Sequence, residues 1–262
     1  TELNRAFIAL RRNGGGPVHI NLVTTYSIDY SARSLPNVRG IRYIADIRNM
    51  PSIKKYKRIA ILVGVHKIWE DELLNTVDCF CKDYNAVVLM NHASNYKGKY
   101  GVNHAVIMNQ NQYHSPLLNA ELVIYIGSVS RYASGMKNAE IWRVNPDGEI
   151  RDAERKITHI FAMEEKSFFE YYCMDKNSYK KNTVADNHYA AQWKTEYAMI
   201  MKKLPDIPFS NVWIAEKMSS RLPDNSVFHL AGSNTARAWN FFKIPEKVRC
   251  HSNDGTMGID GQ

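Results

Sequence analysis

Residues 58–65 read RIAILVGV, the stripe Trp69, Leu73, Val77, Phe80 and Tyr84 follows, and residues 86–90 read AVVLM. An unbroken apolar run of strand length describes a strand buried on both faces, which is the habit of parallel sheets. Apolar residues three and four apart over 68–84 line one face of a helix. Strand, amphipathic helix and second buried strand make a βαβ unit, and that unit implies a right-handed crossover onto a parallel sheet.

The same alternation extends outward. ELVIYIG (121–127), AEIWRV (139–144) and THIFAM (158–163) read as further strands, with a closing helix through Phe168, Phe169, Tyr171 and Tyr172. Between them a polar stretch with Tyr96, Gly98 and Gly101 leads to a short helix before Ala120. Residues 40–45 predict one more strand. At the amino end, Leu3, Phe7 and Leu10 mark a helical face that Asn13, Gly14, Gly15 and Gly16 terminate. PVHINLV (17–23) then predicts a short strand, which with one helix cannot bury itself and must dock elsewhere. The fold class is α/β, with a doubly wound parallel-sheet (Rossmann-like) central domain.

Residues 174–187 are polar and aperiodic, as a linker is. Beyond them Tyr189, Trp193, Tyr197 and Met201 form a helical stripe, 212–222 a second helix, and SVFHLA (226–231) a strand. A helix opens at GSNTARAW with Ser233 placed as its cap, and VRCH (248–251) is another strand. The expected layout is therefore 1–37 as the end of one domain and a linker, 38–173 as the central domain, 174–187 as a linker, and 188–262 as the truncated start of a partial second α/β domain.

Composition narrows the function classes. Hydrophobic residues at 45% and charged residues at 23% describe a folded chain, not a disordered one. The net charge of +8 comes from scattered basic residues without interleaved aromatics, so a nucleic-acid platform is not expected. No apolar run approaches the about 20 residues that span a bilayer, and TELNRAFIALRRN lacks a signal core, so no membrane association and a cytoplasmic location are the expectations. Cys79, Cys81, Cys173 and Cys250 form no CxxC pair and are expected as reduced thiols. Histidine spacing offers no HExxH and no GxSxG appears, so neither a metal site nor a catalytic residue is expected in this stretch. His19 and His229 alternate with apolar neighbours, a structural pattern. After the first buried strand GVHKIWED lacks the GxGxxG of dinucleotide sites.

Two junctions remain as candidate sites. LAGSNTAR (230–237) brings a glycine, helix-start N–H groups and Arg237 to the end of a strand, where an anion would be held. SNDGTMGIDGQ (252–262) follows another strand, and Gly255, Gly258 and Gly261 permit close backbone approach. Both lie at carboxyl ends of strands, where open α/β sheets bind ligands.

GPVHIN (16–21), the doubly wound stretch, and GTMG and GIDG (255–261) occur in an order that resembles the thiamine diphosphate enzymes of the acetolactate synthase superfamily, and within it the menaquinone-pathway synthases. The resemblance covers the whole chain. It implies an enzyme that decarboxylates a 2-oxo acid and ligates the product to an acceptor, with thiamine diphosphate and Mg²⁺ as cofactors and a homodimer or homotetramer as the assembly. The activating glutamate and the GDG…NN element of that family would fall before Thr1 and after Gln262. The chain is accordingly expected to be an internal fragment without turnover of its own.

Carried over by motif, Ser233 and Arg237 match an SxxxR that contacts the 2-oxo acid part of the substrate, and Gly255, Thr256 and Met257 match backbone contacts to the aminopyrimidine ring. Asp254 is the departure: the family has an arginine facing an anionic substrate there, so the sign of the charge is reversed. An acetolactate synthase-like enzyme or a 2-oxo acid decarboxylase stays open as an alternative. So does a non-catalytic α/β module that binds a partner through its basic surface.

Overall fold

The structure is a computed structural model that describes residues 2–24, 26, 31, 34, 39–128, 136, 138–152, 155–174, 188–232 and 234–252, with Asn13 described by its backbone alone. The amino-terminal helix α1 (Glu2–Arg11) precedes a seven-stranded sheet of β1 (Arg42–Ile44), β2 (Ile59–Val63), β3 (Ala86–Met90), β4 (Gly101–Asn103), β5 (Leu122–Ile126), β6 (Glu140–Val144) and β7 (Ile157–Phe161). Every pair is parallel, in the order β1-β7-β6-β5-β2-β3-β4. Setting aside β1 at the edge, this is the 3-2-1-4-5-6 order of doubly wound sheets, which reverses between β2 and β5.

All five residues of β2 and all five of β5 are buried, as their unbroken apolar sequence requires. Alternate side chains feed two cores. Ile59, Ile61 and Val63 face a layer built from helices α2 (Asp71–Asp83) and α4 (Glu165–Met174), in which Phe80, Phe168, Phe169 and Tyr172 interlock. Ala60 and Leu62 face the opposite layer, made by the short helix α3 (Ala105–Met108), a 3₁₀ turn at Pro116–Leu118 and helix α5 (His188–Met201).

Three sequence expectations change in the structure. β4 lies within the stretch read as irregular: its three residues are too few to show a period, and Gly101 is there because a Cβ would meet the Tyr96 ring at 2.9 Å and the Met90 sulfur at 3.0 Å. Residues 17–23 form no strand. They have no ladder partner among the described residues, and Val18, Ile20, Leu22 and Val23 are exposed. α1 forms as its pattern predicts, but Leu3, Phe7 and Leu10 remain exposed, and polar contacts tie it to the sheet: Asn4 bonds Ile41 N and Arg39 O, and Arg5 donates to Ile150 O.

α5 comes from beyond residue 174, and it packs on the central sheet. Tyr189, Ala190, Trp193 and Tyr197 belong to the same core as β2, β3 and β5. It closes a face that α3 alone, at four residues, could not cover. The remaining chain forms α6 (Asn211–Met218), β8 (Val227–Leu230), α7 (Asn234–Trp239) and β9 (Arg249–Ser252), with β8 and β9 paired in parallel. Ser210 caps α6, its side chain accepting from Trp213 N. A two-stranded sheet is marginal alone. Its own core is the small cluster of Ala215, Ala238 and Phe242, so docking on the central domain holds it. Among the described residues the four cysteines are free thiols, and no helix is long and apolar enough to cross a membrane.

Candidate functional site

β8 and β9 run in register from Val227 opposite Arg249 to Leu230 opposite Ser252, so their carboxyl ends finish side by side. From one end the chain turns into α7; from the other it enters the run at 253–262. The strand ends that precede the two stretches singled out in the sequence are thus neighbours. Arg237 lies on α7 and is exposed. Ser233, Asp254, Gly255, Thr256 and Met257 lie outside the described residues. α7 has only six residues, too short for its dipole to make an anion site, so the charge argument rests on the Arg237 guanidinium instead.

A third element completes the arrangement, the turn after β3. His92 Nε2 donates to Trp239 O at 2.9 Å, and Asn240 Oδ1 accepts from His92 N at 3.0 Å. Burial pushes the His92 pKa down, and its bonds to main-chain carbonyls only partly oppose this, so the ring is held neutral. Tyr197 of α5 donates to Phe241 O at 3.2 Å. Asn95 binds both backbone groups of Cys250, accepting from its N–H at 2.9 Å and donating to its carbonyl at 2.8 Å. α7 and β9 are therefore each fixed by the end of the central sheet. Sequence reasoning passed over NHASN (91–95) as polar loop. The available signal was its position, directly after the buried run AVVLM at a carboxyl strand end.

The reversal point between β2 and β5 is the other place where such a sheet could bind a ligand, and the protein fills it itself. Val65 and Ser128 exchange two N–H···O bonds of 2.9 Å across it. Glu165, at the start of α4, accepts from Gly127 N at 3.1 Å and faces His66 Nε2 at 2.8 Å. His66 Nδ1 donates to Lys67 O at 2.7 Å, and the ring stacks on Trp69 with centroids 4.4 Å apart. An internal carboxylate thus engages the backbone N–H of Gly127 at this point. Among the described residues no group of three His, Cys, Asp or Glu side chains converges to hold a metal ion.

Fold and site define an all-parallel, doubly wound α/β domain with a docked β–α–β unit whose strand ends carry the candidate loops. Comparison with known proteins adds the particular likeness. Over an alignment 289 positions long the chain is 28% identical to the 2-succinyl-5-enolpyruvyl-6-hydroxy-3-cyclohexene-1-carboxylate synthase of Bacteroides fragilis, covering 99% of this chain and 48% of that protein. It is 25% identical over 286 residues to the synthase of the same name from Phocaeicola vulgatus, with 99% and 48% covered. With the Flavobacterium johnsoniae synthase it shares 26% over 272 residues, with 94% and 47% covered. The chain spans about half the length of the curated relatives it matches. No family model matches it.

Proposed function

We propose that this chain is a portion of a thiamine diphosphate-dependent synthase that decarboxylates a 2-oxo acid and ligates the product to an acceptor, as a step of menaquinone biosynthesis. The observation that carries this reading is the alignment of nearly the whole chain with three such synthases. The parallel pairing of β8 with β9 supports it, because Arg237 lies on the helix that follows β8.

The chain's own residues divide the work. Arg237 binds the 2-oxo acid carboxylate through its two-pronged guanidinium, and by motif Ser233 is assigned to the same part of the substrate. Gly255, Thr256 and Met257 offer backbone groups to the cofactor's aminopyrimidine ring. Thiamine diphosphate, when bound, supplies the electron sink that accepts the pair left behind as CO₂ departs. Orientation and exclusion of water fall to the protein. Mg²⁺ belongs to the same reading, but the described residues offer no ligand cluster for it, so no step is assigned to it. The complete assembly on this reading is a cytoplasmic homodimer or homotetramer.

Asp254 favours a second reading of the acceptor. A carboxylate at close range repels a dianionic acceptor, so a less charged one, as in an acetolactate synthase-like enzyme or a 2-oxo acid decarboxylase, fits that position. The test uses the complete gene product. Calorimetry with thiamine diphosphate and Mg²⁺ should show binding, and 2-oxo acid plus acceptor should release CO₂. Absence of cofactor binding overturns the proposal; CO₂ release without ligation selects the decarboxylase.

A further inference from the structure

The amino ends of the central strands carry a groove of their own. Arg58 stands directly before β2, the Pro116–Leu118 turn precedes β5, and the two strand starts meet where Glu121 N donates to Arg58 O at 3.0 Å. Between them and α5 runs a groove of about 520 Å³ whose lining includes Arg58, Pro116, Leu117, Ala191, Glu196 and Met199. That size and a largely apolar wall suit a small molecule. The β8–β9 unit docks at the other end of the sheet, after β3, so this groove is no part of the site described above.

Glu196 decides what the groove can hold. The residue is 7% exposed, and its Oε1 is sealed from solvent without a hydrogen-bond partner among the described residues. A carboxylate withdrawn from water in this way is costly until a cation meets it. Arg58, half-buried, lines the same groove, and its guanidinium makes no hydrogen bond or ion pair among the described residues. Glu196 and Arg58 do not pair with each other, so an acid and a base both stand open to a ligand beside the apolar surface of Pro116, Leu117, Ala191 and Met199.

We propose that this groove binds a free α-amino acid with an apolar side chain. Its ammonium group donates to the Glu196 carboxylate, its carboxylate pairs with the Arg58 guanidinium, and its side chain lies against Leu117 and Met199. A simple cation or a simple anion would meet one of the two charges and leave the other unpaired; a zwitterion meets both. The site stands independently of the function proposed above.

Calorimetry on the complete gene product tests this with L-leucine and two analogues that each lack one charge, 3-methylbutylamine and 4-methylpentanoate. L-leucine should bind at millimolar concentration or below, and each analogue should bind roughly tenfold or more weakly. Glu196→Gln keeps the shape and removes the charge, so it should weaken L-leucine by a similar factor and bring it level with 4-methylpentanoate. Met199 is 53% exposed, so Met199→Trp fills the groove from its outer wall without disturbing a buried residue. That variant should lose L-leucine binding while its melting temperature without ligand stays at the wild-type value, which separates loss of the site from loss of the fold. No binding of L-leucine at tens of millimolar overturns the site, as does binding that survives Met199→Trp. An amine that binds as well as L-leucine overturns the Arg58 contact, and 4-methylpentanoate binding as well overturns the Glu196 contact, and either result ends the assignment to an amino acid.

Discussion

Glu165 and His66 are 99 residues apart in the chain, and their side chains meet at 2.8 Å where β2 and β5 part. Both ring nitrogens of His66 face oxygen atoms, Nε2 the Glu165 carboxylate and Nδ1 the Lys67 carbonyl. Removing one partner would strand the other where solvent barely reaches. Glu165→Ala should cost about 3 kcal/mol, measured by urea denaturation, since it also frees the Gly127 N–H. Because this carboxylate blocks the reversal point, millimolar ADP or NAD should leave the melting temperature of the wild-type chain unchanged.

His104 predicts a pH dependence. Its Nδ1 is sealed from solvent without a partner among the described residues, and burial pushes its pKa down to about 4 from 6.5. A lowered pKa means that the unfolded chain binds a proton the folded one refuses. The stability is whole above pH 6.5 and falls as the pH drops through the window from 6.5 to 4, by no more than about 3 kcal/mol. Chemical denaturation of His104→Gln across that range should show the slope reduced.

A second window lies lower. Burial raises the Glu140 pKa, but bonds from Trp142, Tyr56 and Lys55 outweigh it and hold the carboxyl at about 2. Its contribution is present above pH 4.5 and is lost as the pH falls toward 2. Glu140→Gln should flatten the acid limb of the same titration.

The covering role of α5 is testable at its central anchor. Trp193 has no exposed surface and stands in the core shared with β3. Trp193→Ala should cost about 3–5 kcal/mol of unfolding free energy. Met199→Ala, on the same helix but 53% exposed, should stay within about 0.5 kcal/mol.

Arg237 separates charge from geometry. Arg237→Lys keeps the cation and loses the planar fork, so on the function proposed above the KM of the complete gene product for the 2-oxo acid should rise roughly 10- to 100-fold. Steady-state kinetics in which Lys matches Arg would show that the residue supplies no paired contact.

The buried strands were legible because burial on both faces leaves nothing polar in RIAILV or LVIYI to confuse the period. β4 was not, since three residues carry no period, and neither was the unpaired state of PVHINLV, because strand composition describes a readiness to pair and not the presence of a partner. His19 and His229 alternate with apolar neighbours yet are exposed, since alternation gives two sides without saying which one is covered. Asn95 lay hidden in a polar run, its partner 155 residues away.

Local order, in the form of apolar runs, helical stripes, and glycine and asparagine turns, was written in the sequence by itself, because each depends on residues close along the chain. The strand order, the return of α5 onto the central sheet, the closing of the β2–β5 crevice by Glu165 and the seizure of Cys250 by Asn95 were decided only by the tertiary structure. Each is a meeting of distant residues, and sequence patterns carry no term for which distant surfaces will share a contact.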